Sequence, residues 1–159
     1  MPPKIQPSIR MGELGVCRET GALRTLLGSC LGVALYDRKL RVAGLAHIVL
    51  PKATGTPELP GKYADTALPE LIRQMQVAVP GANLKLTAKL AGGANMFNSI
   101  SAPATIGEMN TQAVERILGE LRIPVIGRHL GGEQGRRMTL DAATGQVTIE
   151  IASSESTVL

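Results

Sequence analysis

Apolar residues in the first third of the chain come in short runs punctuated by turn-forming residues, and this spacing limits the fold more than any other feature of the sequence. Runs at 13–18 and 22–28 are split by Thr20-Gly21, and runs at 31–35 and 41–50 are separated by the polar stretch Tyr36-Asp37-Arg38-Lys39. Short apolar runs between turn signals read as strands, and the second pair reads as a β-hairpin. Pro51 stops the second arm because it lacks the N–H that a ladder needs, and 52–61, with Gly55, Pro57, Pro60 and Gly61, follows as a loop.

The period then changes. From 62 to about 79, Ala64, Ala67, Leu68, Leu71, Ile72, Met75 and Val79 recur at the three-then-four spacing of one helix face, which Pro80-Gly81 ends. A strand is expected at 84–90, running into Gly92-Gly93. A second helix is expected at about 110–121, capped by Asn110 and buried through Ala113, Val114, Ile117, Leu118 and Leu121. After Pro124 come a strand at 125–130, a second glycine pair at Gly131-Gly132, and a hairpin with arms at 137–140 and 146–151 around the turn 141–145. Strands outnumber helices and several are joined by hairpins, so the class is α+β with substantial antiparallel sheet. A chain of 159 residues suits one domain, read as 11–151. Pro2, Pro3 and Pro7 at one end and the Ser-rich stretch 152–159 at the other read as flexible termini.

With no Trp, one Phe and two Tyr, the core must be built from Val, Leu, Ile, Ala and Met, and a function resting on base stacking is disfavoured. A formal charge of +4 attracts acidic partners. The densest basic cluster is only Arg136-Arg137, so an acidic protein surface is a better partner than nucleic acid. No apolar stretch approaches the roughly 20 residues that span a bilayer, and 1–12 lacks the hydrophobic segment of a secretory signal. The expectation is a cytoplasmic protein with no membrane insertion, whose two cysteines, Cys17 and Cys30, are separate thiols.

The chemistry-bearing stretch is Thr25-Leu26-Leu27-Gly28-Ser29-Cys30, followed by His47 on the return strand of the hairpin. Gly28 before Ser29 and Cys30 suggests a sharp turn that presents the thiol at the edge of an element. A hairpin returns the chain to its starting level, so His47 comes back toward Cys30. An imidazolium beside a thiol lowers its pKa and favours the thiolate. The same histidine can protonate a departing amine and then activate water. Thr25 is the nearest hydroxyl able to orient the imidazole, and backbone N–H groups around Gly28 and Ser29 are candidate donors to an oxyanion. On patterning alone a second reading stands beside this one, with Cys30 a small buried hydrophobe and His47 a hydrogen-bonded core residue. His129 reads as structural or surface. There is no CxxC, no HExxH and no nucleotide loop at either glycine pair, so neither metal nor cofactor is expected.

Several segments resemble, in order, those of the CheD family. They are Leu27-Gly28-Ser29-Cys30, Ala46-His47 through Leu50-Pro51, Lys62-Tyr63-Ala64-Asp65 with Ala67, Ala88-Lys89-Leu90 into Gly92-Gly93-Ala94-Asn95-Met96, Ile106-Gly107 with Asn110, and Leu130-Gly131-Gly132 with Gly135-Arg136-Arg137. Met109 stands where the family commonly has arginine. The resemblance implies a fold of packed β-sheets flanked by helices, similar to that of the cytotoxic necrotizing factor toxins. It implies deamidation of glutamines on the cytoplasmic coiled coil of methyl-accepting chemotaxis receptors, with Cys30 as nucleophile, His47 as acid/base and Thr25 orienting it. It also implies the phosphatase CheC as a partner. Two further readings stay open: a binding module that regulates CheC, and hydrolysis of glutamate methyl esters at the same receptor sites.

Overall fold

Two five-stranded sheets face one another, and both helices pack on the outer face of one of them. The computed structural model describes residues 4–56, 58–96, 105–151 and 156–159. Pro2, Pro3, Pro57 and residues 152–155, which entered the reading of the termini and the loop, lie outside those residues.

In chain order the strands are β1 (Lys4–Ile5), β2 (Leu14–Arg18), β3 (Gly21–Leu27), β4 (Leu31–Asp37), β5 (Val42–Ile48), β6 (Thr87–Gly92), β7 (Val125–Leu130), β8 (Arg136–Asp141), β9 (Val147–Glu150) and β10 (Thr157–Val158). The helices are α1 (Ala64–Ala78) and α2 (Ile106–Glu120). One sheet has the order β1-β3-β8-β9-β10 and the other β2-β5-β4-β6-β7. The hairpin expected from the sequence is β4–β5, and the final one is β8–β9. The fold is therefore α+β with mixed sheets, as expected.

The second sheet is the middle layer, which explains why β4 and β5 read as nearly unbroken apolar runs: both faces are covered. Leu31, Val33 and Leu35 face α1 and α2 with Val42, Ala46 and Ile48. Ala34, Tyr36, Ala43 and Leu45 face the other sheet. From α1, Leu68, Leu71 and Met75 are wholly buried in the helix-side core, each contributing about 1.5–3 kcal/mol. The β4–β5 turn closes on Asp37, whose Oδ1 accepts the N–H groups of Lys39 at 3.0 Å and Leu40 at 2.9 Å. Its Oδ2 accepts the N–H of Lys85 at 2.8 Å. Lys85 is thereby tied to the turn rather than to a ladder, and β6 starts at Thr87 instead of 84.

Two expectations need correction. Asn110 does not cap the second helix. The helix starts at Ile106, and its cap is Thr105, whose hydroxyl accepts the N–H of Glu108 at 3.1 Å. Residues 4–10 are not without regular structure, since Lys4–Ile5 pairs in parallel with β3 and Ile9 bridges to Thr25. At the other end Thr157–Val158 pairs with β9. Among the described residues no helix is long and apolar enough to cross a membrane.

Candidate active site

The pleat decides what faces the space between the sheets. Neighbouring residues on a strand alternate faces, so while Ala46 and Ile48 meet the helices, His47 points toward the other sheet. There Thr25 of β3 meets it: Thr25 Oγ1 lies 2.7 Å from His47 Nδ1. The same hydroxyl donates to the carbonyl of Ile9 at 2.6 Å. His47 is also held through its backbone, donating to Glu13 O at 3.1 Å and accepting from Gly12 N–H at 2.9 Å.

These contacts fix the imidazole tautomer. A hydroxyl has a single proton, and a carbonyl can only accept. Thr25 therefore gives its proton to Ile9 O and accepts Nδ1–H from His47. The Nε2 atom is left with a lone pair, and it is buried with no hydrogen-bond partner among the described residues. Leaving such an atom unpaired costs about 1–3 kcal/mol, which calls for a reason.

His47 is only 3% exposed. Burial lowers its pKa from 6.5 to about 4, with Glu13 pulling weakly the other way. The unfolded chain thus binds a proton more readily than the fold between those two values. This share of stability is present above pH 6.5 and is lost as pH falls toward 4. Between pH 7 and pH 4 the wild-type protein should lose about 3 kcal/mol more than a His47→Asn variant. Urea denaturation of both proteins at the two pH values measures the difference.

Cys30 sits one residue before β4. His47 is paired with Gly32, and Cys30 lies two residues before Gly32, buried in the bend that leads into β4. Gly32 itself has no room for a side chain, because a Cβ there would come 2.7 Å from Met138 Sδ and 2.8 Å from Leu27 Cδ1. Burial raises the Cys30 thiol above its usual pKa. Burial thus acts against the thiolate at Cys30 and against the imidazolium at His47. Cys17, the other free thiol, is pushed by burial to about 11. It lies at the far end of the sheet, paired with Ala43.

The turn that presents Cys30 is braced by residues the sequence reading left without a role. Gly93 N–H donates to Cys30 O at 2.9 Å and Ala94 N–H to Gly28 O at 3.0 Å. Gly92 has φ +106, and a Cβ on it would lie 2.3 Å from Cys30 O. The glycine pair thus serves a close backbone approach. Gly107 is glycine for a related reason, since a Cβ there would lie 2.4 Å from Gly93 O. Asn110, buried in α2, donates to Val49 O at 2.9 Å and so ties the helix to the strand end just past His47. The carbonyl of Ile9 carried no signal in the sequence. Gly28 and Ser29 are half-buried in the turn itself, and Gly28 borders a groove of about 910 Å³ with Leu26, Leu27, Met96, Arg136 and Arg137 among its walls. Neither Cys30 nor His47 lines that groove. His129 is half-buried and meets Arg136. Met109 is exposed on α2.

The structure brings Thr25 and His47 into contact, while Cys30 Sγ and His47 Nε2 make no hydrogen bond with one another. The family model for CheD, described as CheD chemotactic sensory transduction, matches residues 49–151. A protein of Methanococcus maripaludis named probable chemoreceptor glutamine deamidase CheD is 41% identical over 152 residues, covering 94% of this chain and 97% of the relative. Proteins of the same name from Clostridium botulinum and Desulforamulus reducens are 43% and 42% identical, covering 90% and 92% of this chain and 91% and 90% of their own. The chain belongs to the CheD family. The matches to these relatives extend well beyond the residues of the family model, which begin just after His47.

Proposed function

We propose that this protein deamidates glutamine side chains of chemoreceptors, with Cys30 as nucleophile, His47 as acid and base, and Thr25 holding His47. One observation carries the reading: Nδ1 of the buried imidazole is committed to Thr25, which leaves Nε2 as an unprotonated base on the edge of the ring away from Thr25. The names of the relatives supply the substrate, and the charge of +4 suits an acidic receptor surface.

Because the pair starts neutral, the proton moves as the sulfur attacks. The Cys30 sulfur bonds to the carboxamide carbon while its proton passes to His47 Nε2, and the carbonyl π electrons move onto oxygen. Backbone N–H groups of the turn at Gly28 and Ser29 stabilise that oxyanion. The imidazolium then gives its proton to the nitrogen, the C–N bond breaks, and ammonia leaves a thioester. A water deprotonated by His47 attacks the thioester, and glutamate and the free thiol are released. Thr25 accepts Nδ1–H throughout, and the Ile9 carbonyl keeps the hydroxyl turned the right way.

Incubation with the cytoplasmic fragment of a chemoreceptor should release one ammonia for each glutamine that becomes glutamate; conversion without ammonia, or neither, counts against the reading. Thr25→Val keeps the shape but removes both hydrogen bonds, and it should lower kcat by about a hundredfold. Thr25→Ser should recover most of that loss, as read by the same ammonia assay.

A further inference from the structure

Arg136 is a charged side chain in an unusual setting. It is 5% exposed, opposite Leu27 in the sheet, and on the face of β8 that looks into the space between the sheets along with Met138 and Leu140. Among the described residues its guanidinium has no carboxylate as a hydrogen-bond partner. Nη1 donates to His129 O at 2.7 Å and to His129 Nδ1 at 2.9 Å, and Nη2 donates to Gly131 O and to Gln134 O at 3.3 Å. Its Nε is buried without a partner among the described residues. Burying a cation among neutral acceptors is costly, so a chain that needed only packing here is better served by an apolar residue.

The four acceptors share one property: all lie in residues 129–134, at the end of β7 and in the loop that follows it. That loop holds the end of β6 and the residues just after it, through Gly131 N–H to Gly92 O at 3.0 Å and Asn95 N–H to Gly132 O at 2.8 Å. The same segment holds the nucleophile turn, through Gly93 N–H to Cys30 O and Ala94 N–H to Gly28 O. Arg136 therefore stands at the head of a backbone relay that crosses from one sheet to the other and ends on Cys30. Only a planar fork with several donors can gather these acceptors at once, and a single ammonium on a flexible stem cannot.

We propose that Arg136 is a positioning residue for Cys30, locking the loop at 129–134 so that the turn at Gly28 to Cys30 is held in its reactive geometry. The assignment rests on the deamidase reading for its catalytic consequence, while the relay itself is independent of it.

The test uses the full chain with Arg136→Met and Arg136→Lys, and with Arg137→Met as the control. Arg137 is an exposed neighbour in a 3.9 Å ion pair with Glu150. Arg136→Met should lower kcat for glutamine conversion at least tenfold per folded molecule, with KM changed less than twofold, and Arg136→Lys should not restore it. Hydrogen exchange at the amides of Gly93, Ala94 and Gly131 should speed up at least tenfold in both Arg136 variants and stay as in wild type in Arg137→Met. Unchanged exchange at those amides, or wild-type kcat per folded molecule in Arg136→Met, overturns the proposal. Faster exchange with no glutamine conversion by the wild-type protein refutes the deamidase reading and leaves the relay standing.

Discussion

Cys30→Ala protein is expected to leave chemoreceptor glutamines unconverted, with the rate falling on the order of ten-thousand-fold, because no other group at the site can form the acyl intermediate. The only other thiol, Cys17, is buried, is raised to about 11 and lies at the opposite end of the sheet, so it cannot substitute. The fold should be little affected. Cys30 belongs to neither of the two apolar clusters, and its replacement removes a single sulfur atom. Peptide mapping of a receptor fragment after incubation measures the loss, and a thermal melt checks that the variant is folded. Conversion at a rate near wild type in a folded Cys30→Ala protein contradicts the assignment.

The second large effect is expected from a residue with no reactive group. Gly92→Ala adds a Cβ 2.3 Å from the carbonyl oxygen of Cys30 and forces a side chain onto a backbone at φ +106. The atom that the Cβ meets belongs to the backbone, so no side chain can swing aside. Strain of about 1–3 kcal/mol from the dihedral and a similar amount from overpacking should destabilise the protein by roughly 2–6 kcal/mol. What survives should turn over glutamine at least a hundredfold more slowly, since displacing a reacting group by an ångström has that scale of effect. Denaturant melts and active-site-normalised rates separate the two losses. Substitution at Gly55, where nothing lies within 4 Å of an added Cβ but φ is +71, should bring the dihedral strain without the loss of turnover.

How much of this was legible in the sequence depended on the range of the interactions involved. The β4–β5 hairpin and β7 were readable because their limits are local: Asp37 and the turn behind it, Pro124 before one strand and Gly131 after it. Asn110 misled because asparagine is a good cap as well as a good buried donor, and only the approach of Val49 decides between them. Cys30, His47 and Thr25 could be singled out as candidates by residue type and spacing. The effect of burial on their protonation could not, because it depends on the sheet that holds β3, and β3 finds its partner β8 more than a hundred residues away. Ile9 left no trace in sequence, since its contribution is a carbonyl, and every residue has one. Gly92 left a trace that was ambiguous until the Cys30 carbonyl was seen against it.

The arrangement of sulfur and imidazole is tested most directly by a receptor peptide in which the target glutamine carries a chloromethyl ketone in place of its carboxamide. Nucleophilic attack on such a group leaves a permanent bond at the attacking atom, which mass spectrometry of the digested protein locates. The adduct should be confined to Cys30, form more slowly in Thr25→Val, and abolish ammonia release as it accumulates. An adduct on Cys17 or elsewhere, or full activity retained after Cys30 is labelled, would show that this thiol is not the group that meets the glutamine.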